Sequence, residues 1–237
     1  MKELIQKMLR TLGIQLKKYP DNDLTRRIKI LNYHNIDTLF DIGANVGQFA
    51  IEIRELGYSK RIISFEPLKS AFEDLKNASL KDKNWIINNY ALGNEDINSV
   101  INVAGNSESS SIFNMLPVQL NSAPKSKYIT QEKIEIKKLD SVFNSFCNKD
   151  DSVMIKVDTQ GYEKNVIDGA NASLIRIKVI QLEMALVQLY ENEILFIDMI
   201  NYLDNKGFQL FSLEPGFSDP TTGRLLEVDG IFVKKNA

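Results

Sequence analysis

The stretch Thr38-Leu-Phe-Asp-Ile-Gly-Ala-Asn-Val-Gly-Gln-Phe49 decides the fold. Leu39 to Ile42 is a short apolar run carrying one acid, Asp41, and it breaks into a turn at Gly43. After Gly47 the spacing predicts an amphipathic helix, with Phe49, Ile51, Ile53 and Leu56 on its apolar face. A strand, a tight turn and a helix N-terminus together make a site for a nucleotide-type ligand, because glycine lets the backbone approach and the first helical N–H groups point outward. A dinucleotide site would need G-x-G-x-x-G beside a pyrophosphate. The turn instead reads Gly43-Ala44-Asn45-Val46-Gly47, with Asn45 where the second glycine would stand. Asp41 and Asn45 suit a ligand with an amino group and a sugar. The candidate ligand-binding set here is Asp41, Gly43, Ala44, Asn45, Gly47, Gln48 and Phe49.

Working outward, Arg61-Ile-Ile-Ser-Phe65 reads as the next strand and ends in Glu66-Pro67, where a carboxylate can accept both hydroxyls of a ribose. Asn88-Asn-Tyr-Ala-Leu-Gly93 closes a third strand near 85–89, and Ala91-Leu92 is placed to border an adenine ring. Helices are expected near 47–57 and 68–80 between these strands. Short buried strands alternating with amphipathic helices predict an α/β fold with a parallel sheet.

The rest of the chain has two departures from that rhythm. Residues 1–35 read as a helical appendage to a main domain at 36–237. Its first helix carries an apolar stripe (Leu4, Ile5, Met8, Leu9, Leu12) ringed by Lys2, Lys7, Arg10, Lys17 and Lys18, and a second helix runs from about Asn22 to Tyr33. Residues 1–18 could dock on their own domain, on a partner subunit, or peripherally on an anionic membrane surface. The second departure is a Ser/Asn-rich insertion, about 94–137, with β-type alternation near 98–103 and 133–137. It reads as a β-hairpin-like insertion with a long mobile loop. Order resumes with helix 139–147, strand 152–157, helix 162–170, strand 177–182, a helix near 191–206 and strands 208–213 and 228–234. Turn signals at Pro215-Gly216, Asp219-Pro220 and Thr222-Gly223 make the last two strands an antiparallel pair.

Composition narrows the setting. At 237 residues the chain suits one α/β domain with a short appendage, and its net charge of -2 recruits no nucleic acid. The lone Cys147 excludes an internal disulfide and a cysteine zinc cage, so a cytoplasmic protein is expected, with the inner face of the membrane as the site of any peripheral contact. Glu3, Lys7 and Arg10 interrupt any signal-peptide pattern, and no apolar run is long enough for a span.

Two acids carry the candidate chemistry. Val153-Met-Ile-Lys-Val157 delivers Asp158 at its carboxyl end, and Val179-Ile-Gln-Leu182 delivers Glu183 at the corresponding point. Open α/β sheets bind ligands at that edge, and neighbouring strands lie about 4.8 Å apart, so both carboxylates can address one small centre. They suit a general base that takes a hydroxyl proton. A weakly held, hydrated, magnesium-like ion is the less favoured alternative, since no histidine or cysteine accompanies them, and its ligands are unknown. The purely structural alternative has Asp158 capping helix 162–170 and Glu183 meeting a cation. His34 is expected at a helix end, Glu163 in a first helical turn, Trp85, Phe65 and Tyr90 in the core, and Tyr162 and Tyr190 near an acceptor cleft.

Asp-x-Gly-x-Asn-x-Gly followed by strand-Glu-Pro is similar to the S-adenosylmethionine site of class I methyltransferases. The ordered set Asp41-Ile-Gly-Ala-Asn-Val-Gly-Gln, Phe65-Glu-Pro67, Tyr90-Ala-Leu-Gly93, Lys138-Leu-Asp140, Lys156-Val-Asp-Thr-Gln-Gly-Tyr-Glu163, Gly169-Ala170, Leu182-Glu183 and Glu227-Val-Asp-Gly-Ile-Phe232 resembles the FkbM family of methyltransferases over about residues 36–234. That resemblance implies a Rossmann-like, mostly parallel seven-stranded sheet of order 3-2-1-4-5-7-6. It further implies O-methylation from S-adenosylmethionine onto sugars of surface polysaccharides or hydroxyls of natural products, with Ser109, Ser110 and Ser111 as contacts to substrate or cofactor. Rival readings are a nicotinamide dehydrogenase, which lacks its G-x-G-x-x-G here, a nucleobase methyltransferase, which lacks its Asn/Asp-Pro-Pro-Tyr, and a silent binding module.

Overall fold

The computed structural model describes residues 2–14 and 19–235, with side chains from residue 7 onward. Its centre is a seven-stranded sheet built from β1 (Thr38–Ile42), β2 (Arg61–Phe65), β3 (Trp85–Asn88), β7 (Val153–Val157), β8 (Ile177–Ala185), β9 (Phe208–Pro215) and β10 (Glu227–Lys234). The order is β3-β2-β1-β7-β8-β10-β9, which is 3-2-1-4-5-7-6 when only these seven strands are counted. All neighbouring pairs are parallel except those of β10, which runs antiparallel to both β8 and β9. This is the doubly wound sheet expected from the alternation of short apolar strands and amphipathic helices.

Strand alternation assigns the two faces. Leu39, Ile62, Met154 and Val179 point to one side, where they meet Ile30 and Leu31 of α2 (Asn22–Tyr33), Phe49, Ala50 and Ile53 of α3 (Gln48–Glu55), and Leu75 of α4 (Lys69–Ser79). Phe40, Ile63, Phe65, Ile155 and Ile180 point to the other, against Leu139 and Phe143 of α6 (Leu139–Phe146), Val166 and Ile167 of α7 (Glu163–Asp168), and Met199 and Leu203 of α8 (Phe196–Asn205). On that second face Phe40 is fully buried between Phe65 and Phe143, with near-parallel rings at 5.9 and 5.5 Å.

The insertion departs from a simple hairpin. β5 (Ile97–Ala104) and β6 (Tyr128–Lys137) pair antiparallel, and β4 (Ala91–Leu92) joins β6 in parallel to make a separate three-stranded sheet. The loop between β5 and β6 carries a short helix, α5 (Pro117–Ser122), and a 3₁₀ turn at Pro124–Ser126. Proline stands at the first position of both, a helix-start signal that the polar composition obscured. α8 also begins at Phe196, later than the sequence suggests. The Glu193 carboxylate accepts the N–H groups of Leu189 and Tyr190, which holds residues 189–193 in a turn. Asn192 there adopts a left-handed φ of 61°.

At the N-terminus, α1 (Lys2–Thr11) is helical, and Met8 and Leu12 are exposed. The side chains of Lys2, Leu4 and Ile5, and residues Lys17 and Lys18 altogether, lie outside the described residues. No helix among the described residues is long and apolar enough to cross a membrane.

Truncating Phe40 removes the middle ring of the aromatic stack beneath the carboxyl edge. Phe40→Ala should lower unfolding free energy by about 3–5 kcal/mol, the range for buried aromatics. Urea titration checks it, and a loss below about 1 kcal/mol would show that the stack collapses without cost.

Candidate active site

The site begins with the turn after β1. Gly43 has φ 75°, and a Cβ placed there would sit 1.8 Å from the carbonyl oxygen of Asp158, so only glycine lets the β1 and β7 turns touch. Asn45 follows with φ 46°, a conformation asparagine tolerates. Gly47, at φ 91°, starts α3 with no side-chain cap, leaving its first N–H groups free for a ligand.

Glu66 braces this turn from β2. Its carboxylate accepts the N–H of Asn45 on one oxygen and of Leu68 on the other, both at 2.8 Å. Each oxygen retains acceptor capacity, so two hydroxyl donors can still be taken. Burial pushes Glu66 up to about 7, against the pull of those two N–H groups.

At the other end stand the two predicted acids. Gln160 Nε2 donates to Asp158 Oδ1 at 3.1 Å and to Glu183 Oε2 at 2.9 Å, bridging them. Its Oε1 accepts the Tyr190 hydroxyl at 2.7 Å, which fixes the orientation of the amide. Gln160 is held at φ 54°, an uncommon conformation for a residue with a Cβ, just before Gly161. Asp158 Oδ2 also lies 3.3 Å from the Lys156 ammonium. Burial first, then Glu227, Asp158 and other nearby acids, raises Glu183 well above the carboxylate range.

Neither acid makes the particular contact that the structural alternative gave it. α7 has Tyr162 at its cap position and no side-chain cap, and Glu163 accepts the N–H groups of Thr159 and Gly161 instead of Asp158 doing so. Glu183 meets the Gln160 amide rather than a cation.

A cavity of about 420 Å³ joins the two ends. Gly43, Asn45, Gln48, Glu66, Pro67, Ala91, Leu92, Ser109, Ser110, Asp158 and Glu183 all line it, so eleven of the sequence-derived candidates converge on one space. Leu68, Ile101 and Ile112 make its apolar end beside Ala91 and Leu92. Tyr162 lines it as well, whereas Tyr190 reaches it only through Gln160.

Other candidates sit behind the wall. Asp41 is fully buried, near Ser64 and 3.5 Å from Lys156, and Ala44, Gly47 and Phe49 support the turn without lining the cavity. Ser111 donates to the Gln160 carbonyl at 2.6 Å and so clamps the insertion onto the 158–161 turn. Asn45 Nδ2 donates to Ser107 across the same seam. His34 packs edge-on against Tyr33 at the end of α2, away from this edge.

Sequence reasoning assigned no role to Lys156, Gln160, Gln119 or Glu227. Lys156 had a signal, a charge inside an otherwise apolar strand. Glu227 had one too: in an antiparallel final pair, the start of the last strand returns to the carboxyl edge. Gln119 lies on α5, within a polar segment that offered none.

The cradle of free helix N–H groups, the buried carboxylate of Glu66 with spare acceptor sites, and an apolar slot at Ala91-Leu92 fit S-adenosylmethionine. Among the described residues, no group of three or more His, Cys, Asp or Glu side chains is arranged to hold a metal ion.

Fold and site together define a class I methyltransferase. The methyltransferase FkbM domain model matches residues 41–210, and the chain belongs to that family. Among solved structures, the precorrin-6y C5,15-methyltransferase of Geobacter metallireducens is 14% identical, with 94% of each chain covered and a TM-score of 0.46. An rRNA methylase of Streptococcus thermophilus is 8% identical over 92% of this chain and 100% of that one, with a TM-score of 0.49. No curated protein matches.

Two outcomes follow from the buried acids. Glu66→Ala should weaken S-adenosylhomocysteine binding by about 1.5–3 kcal/mol, the scale of hydrogen bonds to a charged group. Because only the ionised carboxyl takes two hydroxyl donors, wild-type affinity should also fall as pH drops below about 7. Calorimetric titration reads both, and equal affinities would remove Glu66 from the site.

The second outcome concerns stability. Glu66 and Glu193 rise to about 7, Glu163 to about 8 and Glu227 to about 9, each above an ordinary 4.5 and each chiefly through burial. The folded protein therefore binds more protons than the unfolded chain between those values, and stability falls as pH rises through that window. Thermal melts of the ligand-free protein should show a lower Tm near pH 9 than near pH 5.5. A flat or opposite profile would contradict it.

Proposed function

We propose that the chain is an S-adenosylmethionine-dependent O-methyltransferase acting on a hydroxyl of a sugar in a surface polysaccharide or glycoconjugate. The observation that carries this reading is the Asp158–Gln160–Glu183 bridge, at the polar end of a cavity whose other end fits the methyl donor. Bound there, S-adenosylmethionine supplies an electrophilic methyl group on a sulfonium.

A sugar hydroxyl is a poor nucleophile until its proton is taken. Glu183 is suited to take it, because its raised basicity matches the need for a strong proton acceptor in a water-poor site. Asp158, paired with Lys156, and the Gln160 amide, which donates to both acids, hold the Glu183 carboxylate in place to receive that proton. The C–O bond forms as the S–C bond breaks, the proton passes to Glu183, and the products are a methyl ether and S-adenosylhomocysteine. The loop at Asn106–Ser110, on the cavity wall, limits water that would compete for the methyl.

The wall also speaks to acceptor class. It includes Glu66, Glu108, Asp158, Glu183 and Glu227 and no lysine, arginine or histidine. A phosphate backbone or diphosphate would find no cationic side chain on that wall, which supports a sugar or other small hydroxylated acceptor over nucleic acid.

Asp158→Asn and Glu183→Gln should leave S-adenosylhomocysteine affinity nearly intact while lowering methyl transfer to sugar acceptors by about a hundredfold or more. Wild-type turnover should rise with pH as Glu183 loses its proton, and it should survive EDTA. Near-normal turnover in both mutants would return the pair to structure, and loss on chelation with rescue by magnesium would assign the activation to a metal.

A further inference from the structure

Most carboxylates around the carboxyl edge have a visible partner. Asp158 has Lys156, Asp229 lies 3.7 Å from Arg27, and Glu214 is bound by both Arg26 and Arg27. Glu163 and Glu193 are satisfied by backbone N–H groups, Glu66 likewise, and Glu183 by the Gln160 amide. Among the buried ones, Glu227 is the exception. It is 4% exposed and lines the cavity, yet its carboxylate has no hydrogen bond or ion pair among the described residues.

A second unpartnered group shares that wall. Gln119 on α5 is also 4% exposed, and its Oε1 is buried without a hydrogen-bond partner. Phe217 completes the wall here, packed with Leu189, Tyr190 and Leu226. Buried polar groups are ordinarily satisfied, so two on one cavity wall mark a place where a ligand supplies the missing partners.

Position separates this place from the methyl donor. Glu227 opens β10, three strands from β1 in the order β1-β7-β8-β10. At about 4.8 Å per strand that is roughly 14 Å from the glycine turn. Glu183 stands between, on β8, and its pair opposite Asp229 puts Glu183 and Glu227 on the same face of the sheet. The Glu227 end therefore faces whatever lies beyond the reacting hydroxyl.

We propose that Glu227, with Gln119, binds a primary ammonium group on the acceptor, so that the substrate is an amino-bearing hydroxylated molecule such as an amino sugar. This rests on the reading of the cavity as the site of a hydroxyl methyltransferase. An ammonium brings three donors and the positive charge that the wall lacks. The Glu227 carboxylate and the Gln119 carbonyl accept those donors, and Glu183 stays free to take the hydroxyl proton. Phe217 offers an apolar surface to the sugar ring. N-acetylation would remove the charge and add bulk, and a neutral hydroxyl would leave the acidic wall uncompensated.

The test uses the wild-type chain and Glu227→Gln, each saturated with S-adenosylhomocysteine. Methyl glucosaminide, its N-acetyl form and methyl glucoside are the probes, read by saturation-transfer NMR on those complexes and, on the proteins freed of S-adenosylhomocysteine, by methyl incorporation from labelled S-adenosylmethionine. Wild type should favour the amino glycoside over both analogues by about tenfold or more, and Glu227→Gln should abolish that preference. S-adenosylhomocysteine affinity should be the same in both proteins. Because folding must hold Glu227 protonated well above its ordinary range, Glu227→Gln should also raise the Tm above pH 7, whereas a purely structural glutamate would lower it. Equal binding of the three probes, no amino-glycoside binding, or a preference that survives the mutation overturns the proposal. A drop in S-adenosylhomocysteine affinity in Glu227→Gln overturns it differently, by giving the subsite to the donor's own ammonium. Failure of wild type to bind S-adenosylhomocysteine at all would instead sink the methyltransferase reading.

Discussion

The Lys156 ammonium is the charge on which the site's geometry depends. Ser64, Asp41 and Lys156 are register partners on β2, β1 and β7, so three adjacent strands put polar groups in one row on the same face. From that row Lys156 reaches Asp41 at 3.5 Å, Asp158 at 3.3 Å and the Gly43 carbonyl at 3.4 Å. Burial opposes its charge, but Asp158 and Asp41 outweigh it and hold the ammonium above its ordinary value. One buried cation thus ties the strand that carries the glycine turn to the strand that delivers Asp158. Buried ion pairs are weak evidence for stability, since well-packed apolar residues often do as well. What this one secures is placement: the two turns on which donor and acceptor must meet are held to the same point charge.

Topology does the remaining assembly. β1, β2, β7 and β8 are parallel, so their carboxyl ends lie on one edge: β1, β2 and β7 contribute the turn after Ile42, Glu66 and Asp158, and β8 contributes Glu183 from within the strand, just before its end at Ala185. β10 runs the other way, and so it is its beginning, at Glu227, that reaches this edge. The insertion closes the open side. Ser111 on the Gln160 carbonyl, Ser107 on Asn45 and the Tyr190 hydroxyl on the Ser109 carbonyl stitch it to both turns and to the 189–193 segment. The serine cluster thereby acts as a clamp.

Legibility in the sequence followed how local each determinant was. Strand-turn-helix at 38–55 and Glu66-Pro67 were readable because glycine, helix periodicity and strand ends act within a few residues. Asp158 and Glu183 were readable because a parallel sheet sends every such strand end to one edge. The start of α8 was misplaced because Glu193, a helix-compatible residue, spends its carboxylate on the backbone of Leu189 and Tyr190. α5 was hidden in a composition that reads as loop. Gln160, Gln119 and the placement of Asp41 behind the wall depend on partners far along the chain: Tyr190 for the first, the cavity for the second, Lys156 for the third. No window of sequence contains those pairs.

The concentration of acids at this edge has a consequence for how ligands bind. In the free protein, burial lifts Glu66, Glu183 and Glu227, so a share of them carries protons near neutral pH. A site left in that state is a set of neutral carboxyl groups, which are poor acceptors for two hydroxyls and poor bases. A sulfonium at one end and an ammonium at the other reverse this, since each nearby positive charge favours the ionised form. Loading the site therefore trades protons for ligand charge, and each ligand makes its neighbours' carboxylates more available. That coupling would make donor and acceptor assist one another's binding through shared electrostatics, without movement of the sheet. It also explains why the cavity wall tolerates five acids and no base: the countercharge belongs to the reactants.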